Sequence, residues 1–174
     1  MRSASNTELI ATNVTWLQQA LELIGRLDDA AFVSAPKDLA RHRVGSHLRH
    51  ILEFYECFLD GVASSRIDYD ARKRDETVEK SRFAAIERIH LLIRRLEENP
   101  RVHEDAVLYI RMEDAPAWLP SSIGRELQVL SSHTIHHFAL IAVTLTLHGI
   151  EVDPDFGMSP STIRFNAARA SEAA

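Results

Sequence analysis

Apolar residues recur at intervals of three and four positions along four long stretches of the chain. Residues at this spacing lie on one face of a helix, so each stretch is expected to form an amphipathic helix of about 20 residues. In chain order, the predicted helices run from Thr7 to Leu27, from about Val44 to Ala63, from Asp75 or Thr77 to about Glu98, and from Ser122 to His148. Four such helices predict an all-α protein built as an up-down-type four-helix bundle.

Three connections join these helices. Asp28 to Lys37 is expected to be irregular, because Pro36 disfavours helical geometry in the residue before it. Ser64 to Asp75 is rich in charged residues and is expected to be a polar loop. Arg101 to Pro120 contains prolines and is expected to be irregular, although its segment 107–110 (VLYI) has the composition of a short strand.

The chain after the last predicted helix has no helical periodicity. It contains Pro154, Gly157 and Pro160, which favour turns, so an extended C-terminal tail is expected. The scattered apolar residues of this tail predict that it folds back on the bundle. Residues 166–174 are expected to be disordered. The whole chain of 174 residues is expected to form one domain.

Composition argues against several classes of protein. The net charge of −5 predicts no basic surface of the kind that binds nucleic acid. Cys57 is the only cysteine, so no internal disulfide can form, and it is expected to be a small buried hydrophobe. The polar start, Met1 to Asn6, gives no secretory signal, and histidines interrupt the most apolar run, so no membrane span is expected. These features predict a cytoplasmic protein.

The last predicted helix carries a pair of histidines. His133 and His137 are four residues apart, so their side chains point the same way, one turn apart. Two imidazoles at this spacing can hold one divalent metal ion from a single helix. The alternative is a pair of histidines that pack in the core and form hydrogen bonds there. His136 lies about 100° around the helix from His137 and faces elsewhere.

The second predicted helix supplies a further inward-facing histidine. His47 lies on the apolar arc of that helix, and His50 lies at the edge of the arc. A histidine that faces the core needs a hydrogen-bond partner or a metal to offset its lost hydration. His90, at the edge of the third helix's apolar arc, competes as a ligand but ranks below His47. Three imidazoles with open coordination positions would form a site of the catalytic type.

Four segments also carry a resemblance to a known family: Val44–His50 (VGSHLRH), Ser132–His137 (SHTIHH), Asp68–Asp75 (DYDARKRD) and Asp155–Thr162 (DFGMSPST). Through these segments the chain resembles the DinB/YfiT-like metalloenzymes, a superfamily of four-helix bundles. The resemblance extends from about Thr7 to Phe165. The last two of the four segments are similar to those of one poorly characterised branch of that superfamily.

The resemblance implies a metal site and a chemistry. One histidine of the second helix and two of the last helix would bind a divalent metal, and these are His47, His133 and His137. Nickel, zinc and iron all occur in the family, and its characterised members include transferases and isomerases that use a low-molecular-weight thiol as cosubstrate. Many members are homodimers. The resemblance therefore implies a metal-dependent enzyme, such as a thiol S-transferase or a hydrolase, that activates a thiol or water for transfer to a small electrophilic substrate.

The same residues are compatible with other hypotheses. The chain could be a non-enzymatic, stress-related bundle that binds a metal or another ligand, or a bundle whose histidines are only structural. His50 and His136 are expected to form hydrogen bonds beside the metal. No general base is assigned. Glu126 is expected either to line the pocket or to be a surface charge. The polar residues before the third helix either rim a pocket or form a solvated loop: Tyr69, Asp70, Arg72 and Arg74.

Overall fold

A computed structural model describes residues 5–37, 39 and 41–172 of the protein. Over these residues the chain is mostly α-helical, with eight α-helices, two 3₁₀ helices (Val62–Ser64 and Tyr69–Ala71) and one small sheet. The helices are α1 (Asn6–Arg26), α2 (Asp29–Val33), α3 (Val44–Gly61), α4 (Glu76–Lys80), α5 (Arg82–Glu98), α6 (Pro100–His103), α7 (Ile123–Leu147) and α8 (Pro160–Glu172). The strands are β1 (Arg66–Asp68), β2 (Val107–Arg111) and β3 (Leu119–Ser122).

The four long helices α1, α3, α5 and α7 confirm the four amphipathic stretches of the sequence, with one interruption. The third stretch is divided, because Ser81 takes extended geometry (φ −129°, ψ 113°) between α4 and α5. The hydroxyl of Ser81 accepts a hydrogen bond from the backbone N–H of Ala84, so it caps the longer helix. The serine therefore ends one helix and starts the next.

The long helices pack side by side around one core. α1 contacts α5 and α7, and α3 contacts the same two helices. The buried hydrophobic residues of all four belong to a single cluster. Burial of these apolar faces is the main favourable term for folding. The arrangement brings α3 and α7, which carry the candidate metal ligands, into direct contact.

The sheet is larger than the sequence predicts. The short strand expected at residues 107–110 is confirmed as β2. It pairs in parallel with β1, which lies in the segment predicted to be a polar loop, and antiparallel with β3. β1 and β3 are only three and four residues long, so neither has enough alternating positions to be recognised without its partner. α2 likewise occupies part of the predicted connection Asp28 to Lys37.

The prediction of an extended tail is wrong for its last part, because Pro160–Glu172 form α8. The hydroxyl of Ser159 accepts a hydrogen bond from the N–H of Thr162, and Pro160 occupies the first helical position, where proline is favoured. Alanines, the best helix formers, follow in the segment predicted to be disordered. No residue of α8 is buried. The described residues do not include 173 and 174. They also do not include residues 1–4, which belong to the polar start on which the prediction of no secretory signal rests.

The part of the tail before α8 folds back on the protein, as its apolar residues predict. The ring of Phe156 stacks on that of Phe138 in α7, with centroids 4.6 Å apart. Gly157 has a positive φ of 78°, and a Cβ at this position would lie 2.4 Å from the backbone nitrogen of Ala139. Only glycine permits this approach of two backbones. The contact fixes the tail against α7 close to its histidines.

α7 also meets, by length and composition alone, the requirement for a helix that crosses a membrane. This differs from the expectation that His133, His136 and His137 make the run too polar. Of its most apolar window, 33% is buried inside the protein. Core helices of proteins that never enter a membrane meet the same requirement, so one such helix is weak evidence for a membrane span.

Candidate metal centre

A close contact between α3 and α4 fixes the start of α3. A Cβ at Gly45 would lie 2.1 Å from the backbone carbonyl oxygen of Glu79 in α4, so only glycine fits there. The first turns of α3 carry His47, which is 8% exposed, and His50, which is half-buried. Because α3 packs on α7, both side chains come close to the histidines of that helix.

Three imidazoles converge between these helices. His50, His133 and His137 each offer a ring nitrogen, and these three atoms lie within 4.8 Å of one another. Nε2 of His50 lies 3.1 Å from Nε2 of His133. In a tetrahedral zinc site with metal–nitrogen distances of about 2.0–2.1 Å, two ligand nitrogens are about 3.3 Å apart. The spacing therefore fits a shared metal ion after small rotations of the rings.

His47, the predicted ligand from the second helix, lies beside this group. Its Nδ1 is 3.0 Å from Nδ1 of His137, and its Nε2 is 3.3 Å from Nδ1 of His42. The structure thus brings His133 and His137 together as the sequence predicts, and it places His50 closer to both of them than the sequence suggests. The ligand role of His47 stays a prediction. The contact of His42 is new, because this residue lies outside every predicted helix.

The remaining histidines of interest lie outside the group. His136 is exposed, with its ring centroid 5.1 Å from that of His137. His90 is exposed on α5. His90 therefore lies on the side of α5 that faces solvent. The structure does not bring it to the other histidines.

The environment of the cluster keeps its imidazoles neutral. Burial, followed by the charges of neighbouring histidines, lowers the pKa of His47 to about 4 and the pKa of His137 to about 2. Burial first, then His50 and other charges, lowers the pKa of His133 to about 3. For His50 the pKa falls to about 4, through burial and then the nearby guanidinium of Arg72. A neutral imidazole is the form that binds a metal, so the cluster is in its ligating form at neutral pH.

One ring nitrogen of the cluster has no partner. Nδ1 of His133 is buried and forms no hydrogen bond with any described residue. A buried polar atom without a partner costs about 1–3 kcal/mol, so native proteins rarely leave one. Nδ1 of His133 is therefore without a partner among the described residues, whereas Nε2 of the same ring faces His50.

An aromatic and basic wall borders the cluster on one side. Phe54 stacks on the ring of His133, with centroids 4.0 Å apart, and Tyr69 stacks on Phe54 at 5.0 Å. The guanidinium of Arg72 lies 4.8 Å from the centroid of the Phe54 ring. Of the polar residues before the third helix, Tyr69 is buried and Arg72 half-buried, whereas Arg74 is exposed.

Glu126 is not a surface charge. It is 3% exposed, and its carboxylate accepts hydrogen bonds from the hydroxyls of Tyr69 at 2.8 Å and Ser121 at 2.5 Å. The burial of Tyr69, followed by the charge of Glu126, raises the pKa of the phenol. Neither interpretation from the sequence, pocket lining or surface charge, predicts this contact, because Tyr69 lies 57 positions away in the chain.

The half-buried thiol of Cys57 agrees with its expected structural role. Burial raises the pKa of the thiol to about 11, although the charge of Arg72 opposes this shift. The nucleophilic form of cysteine is the thiolate. Cys57 is therefore protonated at neutral pH and is not a reactive nucleophile.

A separate cavity of about 540 Å³ lies between α1 and the segment that precedes α8. Its lining includes Trp16, Leu23, Val152 and Phe156, but none of the clustered histidines. Trp16 donates a hydrogen bond from its indole nitrogen to the hydroxyl of Ser131 in α7, at 2.8 Å. The cavity and the histidine cluster are therefore distinct places in the molecule.

Comparison with known proteins gives little further guidance. No protein-family model matches the chain. No solved structure matches it either. The chain is 37% identical over 103 residues to FK506-binding protein 5 from Rhizopus delemar, a match that covers 56% of this chain and 27% of that protein. The chain thus spans only about a quarter of that relative's length, so the likeness shows no family.

Proposed function

We propose that the protein binds a divalent metal ion between α3 and α7 and acts as a metal-dependent enzyme of the DinB-like superfamily. The observation that carries this proposal is the convergence of His50, His133 and His137. The neutral state of these imidazoles supports it. His133 and His137 are common to the geometry and to the family resemblance. For the ligand from α3, the geometry favours His50 and the resemblance implies His47.

The proposed architecture is an up-down-type four-helix bundle. The mutual packing of α1, α3, α5 and α7 supports it, since each contacts two of the others. Bundles place metal sites in their cores from side chains on facing helices, and α3 and α7 are such a pair. In this proposal the sheet and the short helices fill the connections between bundle helices.

The proposed chemistry follows from the kind of ligands. Three neutral histidines leave coordination positions open, as in catalytic zinc sites, whereas closed structural sites use four protein ligands. A metal bound in this way lowers the pKa of a thiol or a water molecule. The proposed activity is transfer of that thiol or water to a small electrophilic substrate, as in a thiol S-transferase or a hydrolase. Nickel, zinc and iron remain the candidate metals, and a low-molecular-weight thiol the candidate cosubstrate.

We also propose a cytoplasmic homodimer, which rests mainly on the family resemblance. Val143 and Leu147 support it, since these apolar residues of α7 are 58% and 57% exposed. Apolar surface on a helix is typical of protein interfaces when it forms a contiguous patch. Sedimentation analysis of the purified protein at micromolar concentration tests the dimer directly.

A non-enzymatic binding protein is the second candidate function. The cavity of about 540 Å³ favours it, because this volume is typical of small-ligand sites and no clustered histidine lines it. A ligand held there would lie away from the metal. A metal-binding protein with this second pocket could sequester a molecule without reacting with it.

Turnover by metal-loaded protein tests the enzymatic proposal. Protein loaded separately with nickel, zinc and ferrous iron is mixed with a panel of thiols and small electrophiles, and product is measured by mass spectrometry. We expect product formation that stops when a chelator removes the metal. Metal uptake without turnover of any pair would favour the binding protein, and no uptake would reject both the enzyme and the metal site.

A further inference from the structure

Arg72 lies beside the histidine cluster without an acidic partner among the described residues. No Asp or Glu in that part of the chain forms an ion pair with it. Other arginines behave differently: Arg88 pairs with Glu56 and Asp75, and Arg111 pairs with Asp68. Unlike Arg88 and Arg111, the half-buried Arg72 therefore has no described carboxylate that compensates its charge.

The guanidinium of Arg72 is held in place but keeps most of its donors. Its Nη1 donates a hydrogen bond to the carbonyl oxygen of Tyr69, at 3.0 Å. Its central carbon lies 4.8 Å from the centroid of Phe54, a ring that also stacks on His133. Arginine has five N–H donors in a planar fork that matches an oxyanion. The described contacts use one of these donors.

The charge of the site calls for an anion. Three neutral imidazoles would leave the full charge of a bound divalent metal uncompensated, and Arg72 adds another positive charge near the same rings. The two buried carboxylates among the described residues already have partners: Glu126 accepts hydrogen bonds from Tyr69 and Ser121, and Glu53 accepts one from the backbone N–H of Asp75. Like charges in a partly buried site are costly unless an opposite charge lies between them.

We propose that Arg72 binds an anionic group, a carboxylate or a phosphate, of a small molecule whose other end reaches the metal. This inference rests on the proposed metal site and names the class of its substrate. Because both groups contact the ring of Phe54, the guanidinium carbon of Arg72 and the ring centroid of His133 lie within about 9 Å of each other, so a short molecule can contact the guanidinium and the metal together. The wall formed by Phe54 and Tyr69 would border its uncharged middle part.

A pair of metal-binding probes tests this inference without requiring activity. Succinic monohydroxamic acid and butyrohydroxamic acid share a metal-binding hydroxamate and differ in a terminal carboxylate or methyl group. Their affinities are measured by the visible spectrum of protein loaded with cobalt(II). We expect the carboxylate probe to bind about tenfold more tightly, because an arginine–carboxylate pair is charge-assisted. A third probe with a terminal phosphonate distinguishes the two kinds of anion.

Variants of two neighbouring cations assign the effect to one side chain. Arg72→Met is expected to abolish the preference, so that both probes bind with about equal affinity. Arg72→Lys is expected to retain part of the preference, because lysine keeps the positive charge but not the planar guanidinium. Lys73→Met, which removes an exposed neighbouring charge, is expected to retain the full preference. Equal affinities in the parent, or a preference that persists in Arg72→Met, would overturn the inference alone. Failure of the parent to bind cobalt would overturn the metal site itself.

Discussion

Two buried polar clusters join α3 to α7, and they differ in how their polar atoms are satisfied. In the first cluster, the hydroxyl of Tyr55 donates to the side-chain oxygen of Asn13 at 2.7 Å and lies 3.2 Å from the hydroxyl of Thr134. The amide of Asn13 donates to the carbonyl of Leu127, and Thr134 donates to that of Leu130. Every side chain of this set has its partners within the protein.

The histidine cluster is the opposite case. Its ring nitrogens face one another, and Nδ1 of His133 has no partner in the part of the chain that the structure describes. His133 and Thr134 are adjacent in sequence, yet they belong to different clusters. The side chain of Thr134 has hydrogen-bond partners within the protein, whereas Nδ1 of His133 has none among the described residues. The Tyr55 cluster therefore stabilises the fold, whereas the proposed role of the histidine cluster is to hold a ligand.

The largest expected effect separates the two histidines of α3. His50→Ala should weaken metal binding by roughly 100-fold, because it removes a member of the converging group, whereas His47→Ala should cost about tenfold, as expected of a residue that orients a ligand. Competition with a chromogenic chelator measures both affinities. His90→Ala, on the exposed side of α5, is the matched control. The reverse order of effects would identify His47 as the ligand, as the family resemblance implies.

A substitution in the Tyr55 cluster is expected to have a smaller effect. It should change the stability of the protein and not its metal binding. Asn13→Leu should lower the free energy of unfolding by about 1–3 kcal/mol, because it leaves the buried hydroxyl of Tyr55 without its acceptor. Metal affinity should stay within about twofold, since the substitution is remote from the ligands. Urea denaturation in the presence of chelator gives the stability. Loss of metal binding at unchanged stability would show that the two clusters are not separate.

The smallest expected effect is the pH dependence of stability without metal. Burial lowers the pKa of His47 and His50 to about 4 in the folded protein, against about 6.5 when unfolded. The unfolded chain therefore binds more protons below pH 6.5, so stability is full above that pH and is lost as the pH falls towards 4. Allowing for partial exposure, we expect a loss on the order of 1 kcal/mol between pH 7 and pH 6.

Denaturation of a His133→Ala, His137→Ala double variant over the same range is the control for that dependence. Burial lowers the pKa of both residues as well, so the variant should lose less stability as the pH falls. An identical pH dependence in parent and variant would mean that these histidines do not titrate as the structure implies.

Periodicity along the chain was sufficient to predict the long helices, because each buries a continuous apolar face. It could not predict β1 or β3, whose pairing depends on residues about 40 and 10 positions away along the chain. The helix in the tail differs from the prediction for another reason. Pro160, which predicts a turn, is the first residue of α8, and the alanines that follow favour a helix on local propensity alone.

Sequence reasoning also found the pair of histidines in α7 but not their environment. Four-residue spacing fixes His133 and His137 on one face of the helix, whatever packs against it. Both His47 and His50 of α3 approach this pair, and the approach of His50 depends on the rotation of α3 against α7, which its edge position on the helical wheel does not reveal. The burial of Glu126 by Tyr69 likewise arises only from tertiary packing.

Metal content is the most direct test of the central claim. Tag-free parent protein and the His133→Ala, His137→Ala variant are each loaded with nickel, zinc or ferrous iron, dialysed and measured by inductively coupled plasma mass spectrometry. We predict about one metal ion per chain in the parent and none in the variant, because the proposed site is a single one formed by the three converging imidazoles. Absence of metal from the parent with all three ions, or equal metal content in both proteins, would contradict the account.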